Sequence, residues 1–102
     1  MKKIINGKLY DTQTAKRVGY YSNNREDTDF YAFEESLYKK KNGEFFLFGW
    51  GGAATIYREE LGQNRWGSGS SIRPLSIQEA KEWAEDHLDG DEYIEIFGDV
   101  EE

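Results

Sequence analysis

Apolar residues fall in short clusters separated by turn-forming residues until about position 75, and only beyond it do they take on a helical period. Ile4-Ile5 and Leu9-Tyr10 flank Asn6-Gly7. Both residues of that dipeptide adopt positive φ readily, so the segment predicts a tight β-hairpin. Asp11 and Thr12 suit a capped turn through Thr14 and Ala15. Residues 17–22, RVGYYS, contain the β-formers Val18, Tyr20 and Tyr21 and predict a strand. Residues 23–29, NNREDTD, are polar and turn-like. A second, longer hairpin is predicted from residues 30–40 and 45–50, joined by Lys41-Asn42-Gly43.

The returning arm of that hairpin opens FFLFGWGG, residues 45–52. No charge interrupts it, whereas the outgoing arm carries charges on both faces near the turn. A strand that is apolar on both faces is covered on both, which predicts a central strand. Gly49, Gly51 and Gly52 read as the place where that strand bends out of the sheet, or where another part of the chain comes close. Residues 53–62, AATIYREELG, predict one short helix stopped by Gly62. Residues 63–71 predict a Gly/Ser/Asn-rich loop pinned by Trp66. Residues 71–75 are extended, because the residue before Pro74 disfavours helix.

Ser76-Ile77-Gln78-Glu79 is a capping box, in which serine accepts from the third helical amide and glutamate reaches back. Ala80, Trp83, Ala84, His87 and Leu88 then share one helical face. Asp89-Gly90 ends this helix. Asp91 is placed to cap a shorter one over residues 92–97, burying Tyr93, Ile94 and Phe97 and stopping at Gly98. Strands first and helices last predict an α+β fold: an antiparallel sheet of four to five strands, including two Asn-Gly hairpins, with the C-terminal helices packed on one side. Residues 1–102 read as a single domain, β-rich through 75 and acidic and helical from 76.

Composition narrows the chemistry. Cysteine is absent, so disulfides and thiolate metal sites are excluded. No stretch approaches the roughly 20 apolar residues that span a bilayer. The opening MKKIINGKLY lacks the apolar region of a signal peptide, so a cytoplasmic protein with no membrane partner is expected. Net charge is −7, but unevenly spread. Residues 1–75 hold twelve Lys/Arg against nine Asp/Glu, whereas residues 76–102 hold Lys81 alone against eleven carboxylates. That asymmetry bears on partners and solubility rather than on fold.

Motifs for catalysis or cofactors fail on spacing. GWGGAAT has neither the lysine nor the interval of a phosphate-binding loop, and Gly49-x-Gly51-Gly52 does not match the dinucleotide fingerprint. Asp86, Asp89, Asp91 and Glu92 lack the alternate spacing of a calcium loop. His87 is the only histidine and falls on the apolar helical face, where packing near the helix C-terminus explains it. The pairs Glu34-Glu35 and Glu59-Glu60 are acid–base candidates only because carboxylates are abundant. Lys39-Lys40-Lys41 beside Phe45 and Phe46 is the best case for nucleic-acid contact, but reads as solvated edge protection. The chain is therefore expected to be no enzyme, to carry no cofactor and no metal, and to make no direct nucleic-acid contact.

The sequence resembles a family of small proteins from Gram-positive bacteria, often gut clostridia, and their phages and mobile elements. The resemblance rests on MKKIINGKLYDTQTA, SLYKKKNGEFFLFGWGG and IRPLSIQEAKEWAEDHLDGDEYIEIFG, which cover most of the length. It implies an accessory protein and assigns no catalytic residue. Small acidic proteins of such origin include inhibitors of host defence, among them anti-CRISPR proteins, an analogy of origin and charge. Two binding modes are expected to compete. In the first, outward carboxylates of the helix after Ile77 (Glu79, Glu82, Glu85, Asp86 and Asp89) imitate a phosphate backbone and engage a basic, nucleic-acid-binding surface of a host protein. Neighbours three or four apart lie about 5–6 Å from one another. In the second, an aromatic and glycine-rich loop around Trp50, Tyr57 and Trp66 is the contact surface of an interaction domain.

Overall fold

The structure, a computed structural model, describes all 102 residues. In chain order it contains β1 (Lys2–Ile5), β2 (Lys8–Asp11), β3 (Lys16–Ser22), β4 (Phe33–Lys39), β5 (Phe45–Gly51), β6 (Glu59–Gly62), β7 (Arg65–Gly67), β8 (Gly69–Leu75), α1 (Ile77–His87) and α2 (Gly90–Phe97). The architecture is α+β. Four antiparallel strands in the order β3-β4-β5-β8 form the main sheet, and β1-β2 and β6-β7 are separate hairpins. Asn6 and Gly7 turn the first hairpin at φ of 52° and 78°, the geometry that Asn-Gly supplies without strain.

β5 is central, as its two-faced apolar pattern predicts. Phe46 aligns with Tyr38 of β4 on one side and Pro74 of β8 on the other. Side chains on a strand alternate between faces, so β5 feeds two cores. Phe45 and Leu47 point to the helices and pack with Leu37, Ala80, Trp83 and Ala84. Phe46 points the other way and packs with Tyr10 and Ile72 beneath the β1-β2 hairpin. Phe46, Leu37 and Leu47 are fully buried; each contributes about 1.5–3 kcal/mol relative to an exposed position.

α1 begins with the capping box read from the sequence: Ser76 Oγ accepts from the Glu79 amide (3.1 Å), and Glu79 Oε1 accepts from the Ser76 amide (2.8 Å). Its Ala80–Trp83–Ala84 stripe lies on the sheet. A second capping box starts α2, but on Asp89 rather than Asp91, so the chain turns directly from one helix into the next. Gly98 stops α2, with φ 93°. On α2, Tyr93, Ile96 and Phe97 pack against the core, whereas Ile94 is 40% exposed. Tyr93, Ile96 and Phe97 fall at i, i+3 and i+4 and so share the face that meets the core, from which Ile94 is turned away.

Residues 53–62 are not helical. Thr55 Oγ1 donates to the Gly52 carbonyl (2.8 Å) and accepts from the Tyr57 amide (3.2 Å). Such local side-chain bonds compete with a helical ladder. The chain then enters β6, which pairs with β7 through a turn with Asn64 at φ 57°. Residues 63–71 are thus not one loop but a hairpin turn, β7 and the start of β8.

The glycines of FFLFGWGG do not bend β5 out of the sheet, since its pairing continues through Gly51. They admit close approach instead. A Cβ on Gly49 would lie 1.9 Å from Tyr57 Cζ, and one on Gly52 would lie 2.7 Å from the carbonyl oxygens of Asp29 and Phe30. Lys40 is no solvated edge guard either. It sits 3.7 Å from the centre of the Tyr10 ring and pairs with Glu44, fastening β1-β2 to the main sheet.

Candidate functional site

The helices form the acidic outer layer of the molecule. Glu79, Glu82, Glu85, Asp86 and Asp89 are all exposed, but they do different work. Glu79 is held by the cap of α1, whose backbone and side-chain hydrogen bonds lower its carboxyl below the usual range. Asp89 lies beyond α1 and caps α2, accepting from the Glu92 amide at 2.9 Å. Glu82 accepts a hydrogen bond from Gln78 at 3.3 Å. Glu85 and Asp86 project without a side-chain hydrogen bond. α2 extends the layer with exposed Asp91, Glu92 and Glu95, which a row drawn on α1 alone omits. Four ion pairs occur in the protein, and none contains a residue of 76–102. Within the layer Lys81 is the only basic residue, and Arg73 of β8 acts on Glu79 from a distance.

Trp50, Tyr57 and Trp66 do not share a surface. Trp50 is half-buried on the Phe46 face of β5. Tyr57 is 8% exposed and packs over Gly49 on the opposite, helix-facing side. Trp66 is 48% exposed on β7, with the Arg58 guanidinium 4.4 Å from its ring centre. No aromatic pair joins any two of them.

Tyr57 instead belongs to a polar cluster centred on Glu35. Glu35 is on β4, on the same parity as Phe33 and Leu37, and is only 6% exposed. Trp83 Nε1 donates to its Oε1 at 2.9 Å, and the Tyr57 hydroxyl donates to its Oε2. One carboxylate thus links β4, α1 and the segment after β5. Burial first, and the adjacent Glu35 carboxylate second, push the Tyr57 hydroxyl well above its usual pKa. It remains a donor throughout the physiological range.

Beside this cluster opens a groove of ≈ 440 Å³, lined among others by Tyr31, Phe33, Glu35, Ile56, Tyr57 and His87. Its walls are the turn before β4 and the segment after β5, held together by the Ala54 amide donating to the Phe30 carbonyl at 2.9 Å. His87 closes one end, packed against Tyr21 and Trp83. Its Nδ1 lies 2.9 Å from the Trp83 carbonyl oxygen; a carbonyl only accepts, so that nitrogen carries the proton. In the sequence Glu35 stands out only as half of a carboxylate pair. The available signal was parity: Glu35 alternates with Phe33 and Leu37, so it faces inward wherever they do. No group of three or more His, Cys, Asp or Glu side chains is placed to hold a metal ion. No helix is long and apolar enough to cross a membrane.

Comparison of the chain with protein-family models, with curated proteins and with solved structures gives no match.

Proposed function

We propose that this protein is a non-catalytic binding protein whose acidic helical layer docks on a basic surface of a partner protein. The observation that carries the reading is the uncompensated layer itself: its carboxylates are exposed and none is ion-paired within the chain. Like charges three or four residues apart weaken a helix. A cationic partner surface relieves that repulsion and releases ordered counterions. The layer is dense in negative charge, which suits a groove otherwise used for nucleic acid. An accessory role in a phage or mobile element, as an inhibitor of host defence in the manner of anti-CRISPR proteins, follows from the family resemblance together with this charge.

The test is capture from a Gram-positive host lysate on immobilised protein, at low and high salt, beside Glu82→Lys/Glu85→Lys. Exposed charges are screened over about 10 Å at 0.1 M salt, so a true partner is retained at low salt and released at high salt. It is also lost on the double reversal, which leaves the buried stripe intact. Equal retention by the two proteins sinks the reading.

A further inference from the structure

Two carboxylates are buried in this fold, Asp11 and Glu35, each 6% exposed. Asp11 has a cation, Lys2, at 3.8 Å. Glu35 has none: it takes part in no ion pair and is held by two neutral donors, Trp83 and Tyr57. A buried charge is ordinarily paired. An ionised carboxylate offers about four acceptor positions, so the two donors leave it capacity for more. Beside it lies space rather than packed side chains, the ≈ 440 Å³ groove of Tyr31, Phe33, Ile56 and His87.

The walls suit a particular guest. Tyr31 and Ile56 stand exposed at the mouth, at 61% and 76%. Aromatic faces attract cations, more strongly where water is displaced. Ile56 and Phe33 offer apolar surface to an aliphatic stem. The Nδ1 of His87 is engaged by the Trp83 carbonyl, which leaves Nε2 as the ring nitrogen without a protein partner. α1, which supplies His87, also carries exposed Asp86 beside it, so the approach to the groove has a negative flank.

We propose that this groove binds the charged end of a basic side chain, lysine or arginine, projecting from the partner that the acidic layer engages. The cation ion-pairs with Glu35 while its stem lies between Tyr31 and Ile56. The identity of the partner rests on the acidic-layer reading; the affinity of the groove for a cation does not.

Small cations therefore test it alone. ¹H–¹⁵N and aromatic NMR spectra of the full chain are titrated with n-butylammonium, n-butylguanidinium, and 1-butanol as the neutral isostere. The expected result is a saturable, millimolar shift of the Trp83 indole, Tyr57 and His87 signals with at least one cation and not with the alcohol. Glu35→Gln, checked for a native Trp83 indole signal, binds about tenfold more weakly or worse, the worth of a hydrogen bond to a charged group. Tyr31→Ala removes an exposed wall without touching the core and also weakens binding, so the test holds even if Glu35→Gln fails to fold. No saturable shift with either cation, an equal response to 1-butanol, or undiminished binding by Tyr31→Ala overturns the proposal. Loss of partner capture in Glu82→Lys/Glu85→Lys with intact butylammonium binding separates the two readings.

Discussion

Replacing Gly49 with alanine tests the link between the aromatic strand and the Glu35 cluster. The backbone there is ordinary strand, outside the positive-φ region. In a compatible backbone, Gly→Ala stabilises by about 0.4–1 kcal/mol by restricting the unfolded chain. The obstacle is Tyr57, whose Cζ and hydroxyl oxygen would stand 1.9 and 2.0 Å from the new Cβ. The ring relieves that overlap by swinging out, so the cost is what Tyr57 gives up. It loses a hydrogen bond to a carboxylate, about 1.5–3 kcal/mol, and the burial of a large ring, about 1.5–3 kcal/mol. Net of the alanine gain and partial relaxation, the expected loss is about 2–5 kcal/mol, a large part of a stability of about 5–15 kcal/mol. Urea unfolding followed by tryptophan fluorescence and circular dichroism measures it. The decisive comparison is the same substitution in a Tyr57→Ala background. There the obstacle is gone, and Gly49→Ala is expected to be neutral or to stabilise by up to about 1 kcal/mol. An equal penalty in both backgrounds refutes the account.

Three further outcomes are expected. Ser76→Ala removes one half of the α1 cap and costs about 1 kcal/mol, read as a lower urea midpoint with unchanged slope. Trp83→Phe keeps a ring in the core but deletes the donor 2.9 Å from Glu35; a loss of about 1.5–3 kcal/mol is expected, shrinking when Glu35 is already glutamine. Glu44 is held at about 2, below its usual 4.5, by hydrogen bonds from Lys8, then Asn42, then Lys40. Because the folded value is the lower one, this stabilisation is complete above the unfolded value and is lost as pH falls through the folded one. The melting temperature of wild type thus falls more steeply than that of Glu44→Gln between pH 4.5 and 2; parallel profiles contradict it.

What was legible in the sequence follows from how local each signal is. Asn6-Gly7, the Ser76–Glu79 box and the Ala80–Trp83–Ala84 stripe each act within a few residues, and each appears in the structure as read. The placement of β5 was legible because both parities are apolar and only a doubly covered strand accommodates that. Residues 53–62 misled because a helix-compatible composition was overruled by two non-local facts: Tyr57 is drawn to Glu35, 22 residues away, and β6 finds a partner in β7. The Glu35 groove was not legible, since its walls come from three separated segments and its floor from a glutamate whose neighbour Glu34 looks the same in composition. Likewise Trp50, Tyr57 and Trp66 are near in sequence, yet strand alternation and a hairpin send them to different surfaces.

The fastening of the β1-β2 hairpin has a consequence for the native ensemble. No backbone hydrogen bond ties this hairpin to the main sheet. It is held by the Tyr10 ring edge-on to Phe46 at 5.5 Å, by Lys40 over Tyr10, and by Lys8 on Glu44 at 2.6 Å. A unit held only by side chains opens sub-globally, at lower free energy than the whole fold. Each opening bares the stacked rings of Tyr38 and Phe46 together with Ile72. Acid promotes it by neutralising Glu44, which releases Lys8 and Lys40 as pH falls toward about 2. Amide exchange in β1 and β2 should accordingly outpace that in β4 and β5 before any global unfolding is detected.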